Sequence, residues 1–316
     1  MKILMKKNYV FSIQKDFIFQ RIDNFLFNKF KTLPKSLIYK NLRIGKILIN
    51  KKKKKPSYKL QKNDIIYLFN IKIEPIKIKK ISCNFKIKQK ILKNILYEDQ
   101  HLIILNKPYG FSVHGGSGIQ SGIIEIFRTI RTDIKFLELI HRLDKDTSGI
   151  LLLAKKRSTL KNLHQQLREK KIKKYYISVL HGMLKKQKII IDLPILKTYR
   201  KKKFNIVTIH KNGKPSKTIF LIKKIFSNCT LVIIKPITGR THQIRIHAAQ
   251  SGHPVLYDPK YGNSILDSKI KFYKKKRLLL HAYKITFLHP ETNKNICIYA
   301  PLDKIFKKNL SFFSKK

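Results

Sequence analysis

Asp144 stands between two cations, in the run His141-Arg142-Leu143-Asp144-Lys145-Asp146-Thr147-Ser148-Gly149, and apolar stretches flank that run on both sides. Charged side chains set between two buried segments cost free energy unless they pair or act. Arg142 and Lys145 make a cationic surrounding that favours the ionised carboxylate. Such a group serves as a nucleophile or base; the plain alternative is a structural salt bridge at a strand end. A second group of polar residues is Gly239-Arg240-Thr241-His242-Gln243-Ile244-Arg245-Ile246-His247. Gly239 permits a tight turn, and Arg245 is positioned to pair with a carboxylate elsewhere. His242 and His247 are five residues apart, poor spacing for a shared metal on one helix. A solvated basic face is the alternative. A third segment is Lys174-Tyr175-Tyr176. In a strand the two tyrosines face opposite sides, so one packs in a core and the other is free to stack on a base.

The elements that would position these groups are legible in outline. Ile22, Phe25, Leu26 and Phe30 suggest a short amphipathic helix, and Pro34 opens a second with Leu37, Ile38 and Leu42 on one face. Gly45 stands where that helix should stop. Residues 46–50 read as a strand, Lys51 to Pro56 as a basic turn, and 64–69 as another strand. The Lys- and Ile-rich stretch 71–95, with its single Pro75, reads as a linker with room for an edge strand. Strands are expected at 101–105, 150–154, 174–180 and 278–288. A hairpin is expected from 218–226 and 230–235 around Ser227-Asn228. Helices are expected at 159–171, capped by Ser158, and at 241–250. His114 to Gly118 reads as a flexible loop. Strands outnumber helices, which predicts an α+β fold with a mainly antiparallel sheet.

Composition narrows the partner. The 316 residues carry 71 Lys and Arg against 17 Asp and Glu, a formal charge of +54. The sign favours a polyanionic partner, since Lys and Arg displace counterions from phosphates. The size of the excess is discounted, because Lys, Ile and Asn are abundant throughout, as A/T-rich codon usage would produce. Cys83, Cys229 and Cys297 have no near partner in sequence and read as free thiols in a reducing cytoplasm. The N-terminus lacks an apolar leader core, and no apolar run approaches the ~18 residues of a membrane span. A soluble cytoplasmic protein is expected.

In order along the chain, HRLDKDTSG, GRTHQIR, LNKPYG, VHGG and the Lys-x-Tyr strand resemble the RluA-type pseudouridine synthase family over nearly the whole length. The resemblance implies the pseudouridine synthase fold over 96–308 and an RNA isomerase needing neither cofactor nor metal. It implies Asp144 as the catalytic nucleophile, Tyr176 against the target uracil and able to help take the proton from C5, Arg245 paired with Asp144, and Arg142 filling the space of a flipped base. Tyr175 and Arg240 are the fallbacks for Tyr176 and Arg245. PKSLIYKNLRIGKILIN followed by PSYKLQKNDIIYL resembles the S4-like RNA-binding module, which implies an RNA-binding domain at 16–80 joined through a linker at 81–95. The RNA-facing cations there would be Arg21, Lys35, Lys40, Arg43 and Lys46. Lys51 departs from that module, which often has Gly after the Asn. The nearest resemblance is to members acting on the bacterial large ribosomal subunit, so 23S ribosomal RNA is the implied partner and a monomer the implied state.

Two other readings compete. Asp144-Lys145-Asp146-Thr147 fits the D-x-D-x-T pattern of Mg²⁺-dependent phosphotransferases, but the later acids Asp192, Asp258, Asp267, Glu291 and Asp303 are isolated in sequence. A non-catalytic RNA-binding or ribosome-assembly protein would explain the charge and the first module, but not the second region.

Overall fold

A computed structural model describes residues 7–14, 17–30, 32–71, 85–115, 121–199, 205–270 and 276–314. Asp16, Pro75, Cys83 and Gly116 to Gly118 lie outside them. Contacts divide the chain into two compact units, Met1–Lys80 and Ile81–Lys316.

The first unit runs β1 (Lys7–Ser12), α1 (Ile22–Lys29), α2 (Lys35–Ile44), β2 (Ile47–Ile49) and β3 (Ile65–Ile71). The strands form an antiparallel sheet in the order β1-β3-β2. Ile22, Leu26, Ile38 and Leu42 bury against Ile47, Ile49, Ile66 and Leu68. The helices and the two later strands match the sequence reading, whereas β1 was not anticipated. Asn50 and Lys51 both adopt left-handed φ, +49° and +60°. That is the conformation for which Gly is the default, and Lys51 adopts it at the steric cost of its Cβ.

The second unit begins with α3 (Phe85–Leu92), β4 (Ile95–Glu98) and β5 (Leu102–Lys107). The segment read as a linker is therefore helical from Phe85 to Leu92. Ile87 and Ile91, four residues apart, face the core among lysines, and this spacing was masked by the Lys/Ile repetition. There follow α4 (Ile123–Ile130), β6 (Glu138–Leu139), β7 (Ser148–Ala154), α5 (Arg157–Arg168) and β8 (Lys173–His181). The cap of α5 is Lys156, without a side-chain bond, rather than Ser158. The chain continues through β9 (Lys188–Asp192), β10 (Ile195–Tyr199), β11 (Asn205–Ile209), β12 (Lys217–Ile225) and β13 (Cys229–Pro236). It closes with α6 (Gln243–Gln250), α7 (Ser264–Lys269), β14 (Leu280–Leu288), β15 (Asn295–Tyr299) and α8 (Lys304–Phe313).

One ten-stranded sheet organises this unit, in the order β4-β5-β7-β14-β8-β13-β12-β9, with β15 beside β14 and β6 beside β7. Among the described ladders only β7 with β14 is parallel. The expected α+β class with a mainly antiparallel mixed sheet is what forms. At the parallel seam Gly149 pairs with Ala282, and a Cβ at Gly149 would overlap the Ala282 carbonyl. With its φ of +108° as well, this position admits only glycine without rearrangement.

Candidate active site

The sheet brings the three polar segments to one place. Asp144 lies in the loop between β6 and β7, held by a turn in which the Thr147 amide donates to the Asp144 carbonyl over 3.2 Å. Tyr176 lies on β8, opposite Ile234 of β13 and Ala282 of β14. Arg245 lies on α6, which follows β13. All three line one cavity of about 850 Å³, together with Arg142, His141 and Lys174.

Arg245 is the geometric centre of the site. Its Nη1 donates to Asp144 Oδ2 over 3.2 Å. Its Nε and Nη2 donate to Asp258 Oδ2 and Oδ1 over 2.7 and 2.6 Å. The Asp258 carboxylate also accepts the backbone N–H groups of Lys260 and Tyr261. Burial opposes the charge of Asp258, but the Arg245 fork and these amides prevail and hold its carboxyl below the usual range. Burial likewise opposes the charge on Arg245, and the bonds to Asp258 and the charge of Asp144 raise its pKa nonetheless. The guanidinium lies over the Tyr261 ring, 5.2 Å from its centre. Its Nε and Nη2 are thus fixed by Asp258, and its Nη1 is aimed at Asp144.

His242 approaches the other Asp144 oxygen, with Nε2 3.7 Å from Oδ1, while its Nδ1 bonds the Tyr261 hydroxyl at 2.7 Å. Burial lowers its pKa, against the pull of Asp144. His242 caps α6 at a left-handed φ of +54°, so the helix starts at Gln243 rather than Thr241. Gln243 closes the preceding turn. Its Oε1 accepts from the Thr238 hydroxyl and the Arg240 amide, and its Nε2 donates to the Lys217 carbonyl and the Thr218 hydroxyl. His247 bonds Thr218 and the Leu193 carbonyl, so the two histidines face different partners. Among the described residues no group of three His, Cys, Asp or Glu side chains is arranged around a metal position.

The two tyrosines of β8 face opposite sides of the strand. Tyr176 is 8% exposed and faces the cavity, and burial together with the charge of Asp144 raises its pKa. Tyr175 faces the other way, under the ammonium of Lys284. Arg142 is exposed at the cavity and makes no ion pair with a described residue. Arg240 is also exposed; its Nε donates to the Pro215 carbonyl and it does not reach Asp144. Asp146 is not part of the cavity wall, so the two acids of the D-x-D-x-T pattern do not converge there.

Sequence reasoning missed two supports. Asp258 looked isolated, yet it anchors Arg245; the only local signal was its place in Asp258-Pro259-Lys260-Tyr261-Gly262, whose turn aims two amides back at the carboxylate. Lys107, of the Leu105-Asn106-Lys107-Pro108 segment, is fully buried. Its Nζ donates to the carbonyls of Pro108, Phe111 and Lys145 over 3.1, 2.8 and 3.0 Å. Burial pulls its pKa down to about 7, while Asp146 and Asp144 oppose the shift. Three carbonyl acceptors match the three N–H groups of the protonated amine. Lys107 thereby ties the loop before α4 to the residue that follows Asp144.

Both units match known families. Residues 101–250 match the RNA pseudouridylate synthase model, and residues 20–66 match the S4 domain. A ribosomal large subunit pseudouridine synthase C from Buchnera aphidicola subsp. Schizaphis graminum is 53% identical over 304 residues, covering 95% of each chain. This chain belongs to the RNA pseudouridine synthase family. The protein of the same name from Pasteurella multocida is 45% identical, covering 98% of this chain and 95% of its own length. The solved structure of human RNA pseudouridylate synthase domain containing 4 aligns with a TM-score of 0.59 at 22% identity, over 72% of this chain and 96% of the human one. It shares the fold. No described helix is long and apolar enough to cross a membrane.

In the S4 unit the five cations expected to face RNA are dispersed. Lys40 and Arg43 line one cavity of about 600 Å³ with Lys53, Lys54 and Lys55, which the sequence reading had treated only as a turn. Lys35 lies over the Phe27 ring, Lys46 is exposed, and Arg21 is forked onto Asp23 at 2.7 and 3.1 Å.

Proposed function

We propose that this synthase isomerises uridines of 23S ribosomal RNA, with Asp144 as the nucleophile. The net reaction breaks the C1′–N1 bond of uridine and forms a C1′–C5 bond, while C5 loses a proton and N1 gains one. One carboxylate that holds the detached fragment and a pocket that excludes water serve this chemistry. The observation that carries the reading is the Asp144–Arg245–Asp258 chain at a cavity walled by Tyr176. Arg245 cannot swing away without breaking two short bonds to Asp258, so it keeps a cation fixed beside Asp144.

In this reading the uridine leaves its stack and enters the cavity, at a cost of a few kcal/mol offset by contacts inside. Tyr176 is the wall against which the uracil rests. Its hydroxyl is kept protonated, which favours a stacking role over one as the base that removes the C5 proton. Arg142, exposed and in no ion pair with a described residue, occupies the space the base has left. Residues 16–80 act as the RNA-binding module, with Lys40 and Arg43 the best placed of its cations, and the enzyme works as a monomer.

The relatives' names point to the large ribosomal subunit. The test is to map pseudouridine in 23S ribosomal RNA from cells with and without this protein. Loss of a defined set of sites, restored by the wild type and not by Asp144→Ala, is expected. An unchanged map would refute the substrate.

A further inference from the structure

Two lysines of the synthase unit meet the problem of burial in opposite ways. The Lys107 ammonium is saturated by three carbonyls. Lys174 lines the catalytic cavity, and burial holds its amine below the ordinary lysine range with no acid nearby to raise it again. Among the described residues no carboxylate, hydroxyl or carbonyl partners this ammonium. Its titratable neighbour is His141, a neutral ring whose pKa is driven down to about 3, first by burial and then by Lys174 itself, and whose Nε2 accepts from the Leu152 amide. The turn glycine Gly239 is a close neighbour: a Cβ there would lie 3.5 Å from the Lys174 amine, at ordinary contact distance. A half-buried cation without a counter-charge is costly unless a ligand supplies the anion.

Position on β8 identifies that anion. Lys174 and Tyr176 are two residues apart, so they face the same side of the strand, about 6.6 Å from each other along it. The strand runs inward: Lys173 is exposed, Lys174 half-buried, and Tyr176 onward buried. The ammonium therefore sits one step nearer the mouth than the aromatic wall. In a nucleotide whose base lies against Tyr176, the sugar–phosphate backbone stays at the mouth. Arg142 and Arg240 are exposed and sense a polyanion generally; Lys235 on β13 is half-buried as well, but among the described residues Lys174 is the half-buried cation that shares the strand face of Tyr176.

We infer that Lys174 is a substrate-binding residue whose ammonium donates to a phosphodiester oxygen adjoining the uridine that enters the cavity. This rests on the reaction proposed above. The test uses the full-length enzyme and a 23S ribosomal RNA fragment containing a mapped target uridine. Single neutral methylphosphonate linkages replace the phosphate on the 5′ or the 3′ side of that uridine. For the wild type, one of the two replacements should lower kcat/KM about tenfold, as expected for the loss of a charge-assisted hydrogen bond. Lys174→Met should lower kcat/KM about tenfold on the all-phosphate RNA and lose nothing further with that linkage. Lys174→Arg should keep the sensitivity to it. The inference is overturned if Lys174→Met matches the wild type, or if its loss multiplies with the loss from both linkages, the mark of a purely structural role. A wild type that forms no pseudouridine in any fragment would remove the underlying reaction instead, a separate result.

Discussion

The two units use the same surplus of positive charge in different ways. In the S4 unit Lys40, Arg43 and Lys46 are exposed, and of the five expected RNA-facing cations only Arg21 is in an ion pair with a described residue. In the synthase unit two cations at the site are buried and fixed: Arg245 by Asp258, and Lys107 by three carbonyls. Exposed cations supply a diffuse, salt-sensitive attraction to phosphate. Buried ones impose geometry, because their bonds cannot be traded for water. A net charge of +54 therefore says little about catalysis; the contribution of a cation depends on what holds it.

Removing the acid that fixes Arg245 should break this contrast most strongly. Asp258→Ala leaves a buried guanidinium half-paired, with an expected stability loss of about 3–5 kcal/mol. Urea denaturation measures this, and kcat should fall with KM little changed. Loss of binding alone would show that Arg245 needs no anchor. The same pair sets a pH dependence. The folded carboxyl of Asp258 titrates below its unfolded value, so its stabilisation is complete above about pH 4 and is lost as pH falls through the lowered value. The Tm gap between wild type and Asp258→Asn should shrink over that acid range; a constant gap would contradict the assignment.

A smaller effect is expected from Lys107→Met, which leaves three carbonyls without a donor. A loss of about 2–3 kcal/mol should follow, with lowered kcat because the Lys145 carbonyl adjoins Asp144. Smaller still, and different in kind, is Lys40→Ala with Arg43→Ala. Folding stability should change by no more than about 0.5 kcal/mol. The slope of log affinity for RNA against log salt should flatten by up to about 2. An unchanged slope would remove these two residues from the RNA contact.

The sequence pointed to the candidate site residues more fully than to the residues that support them. Asp144, Arg142, Tyr176 and Arg245 were legible because each lies in a short segment whose order along the chain is distinctive, and the fold gathers all four around one cavity. Asp258 was not legible: its role depends on a turn that returns to α6, and nothing in a lone acid reveals which arginine it meets. The helix at 85–92 was hidden because lysines surround its two core-facing isoleucines. Strand β1 was overlooked because it pairs with β3, more than fifty residues later, and local pattern carries no record of that partner. Lys174 was visible as part of Lys-x-Tyr, but that its ammonium is left without a partner is visible only in three dimensions.

The central claim is that Asp144 carries the reaction while Arg245 and Asp258 hold it in place. Tritium release from RNA labelled at uridine C5 tests it most directly, with wild type, Asp144→Asn and Asp144→Glu compared at equal RNA occupancy. The account predicts release by the wild type and a loss of at least about 10³-fold in both variants, with RNA affinity retained. Release by Asp144→Asn at the wild-type rate would contradict it.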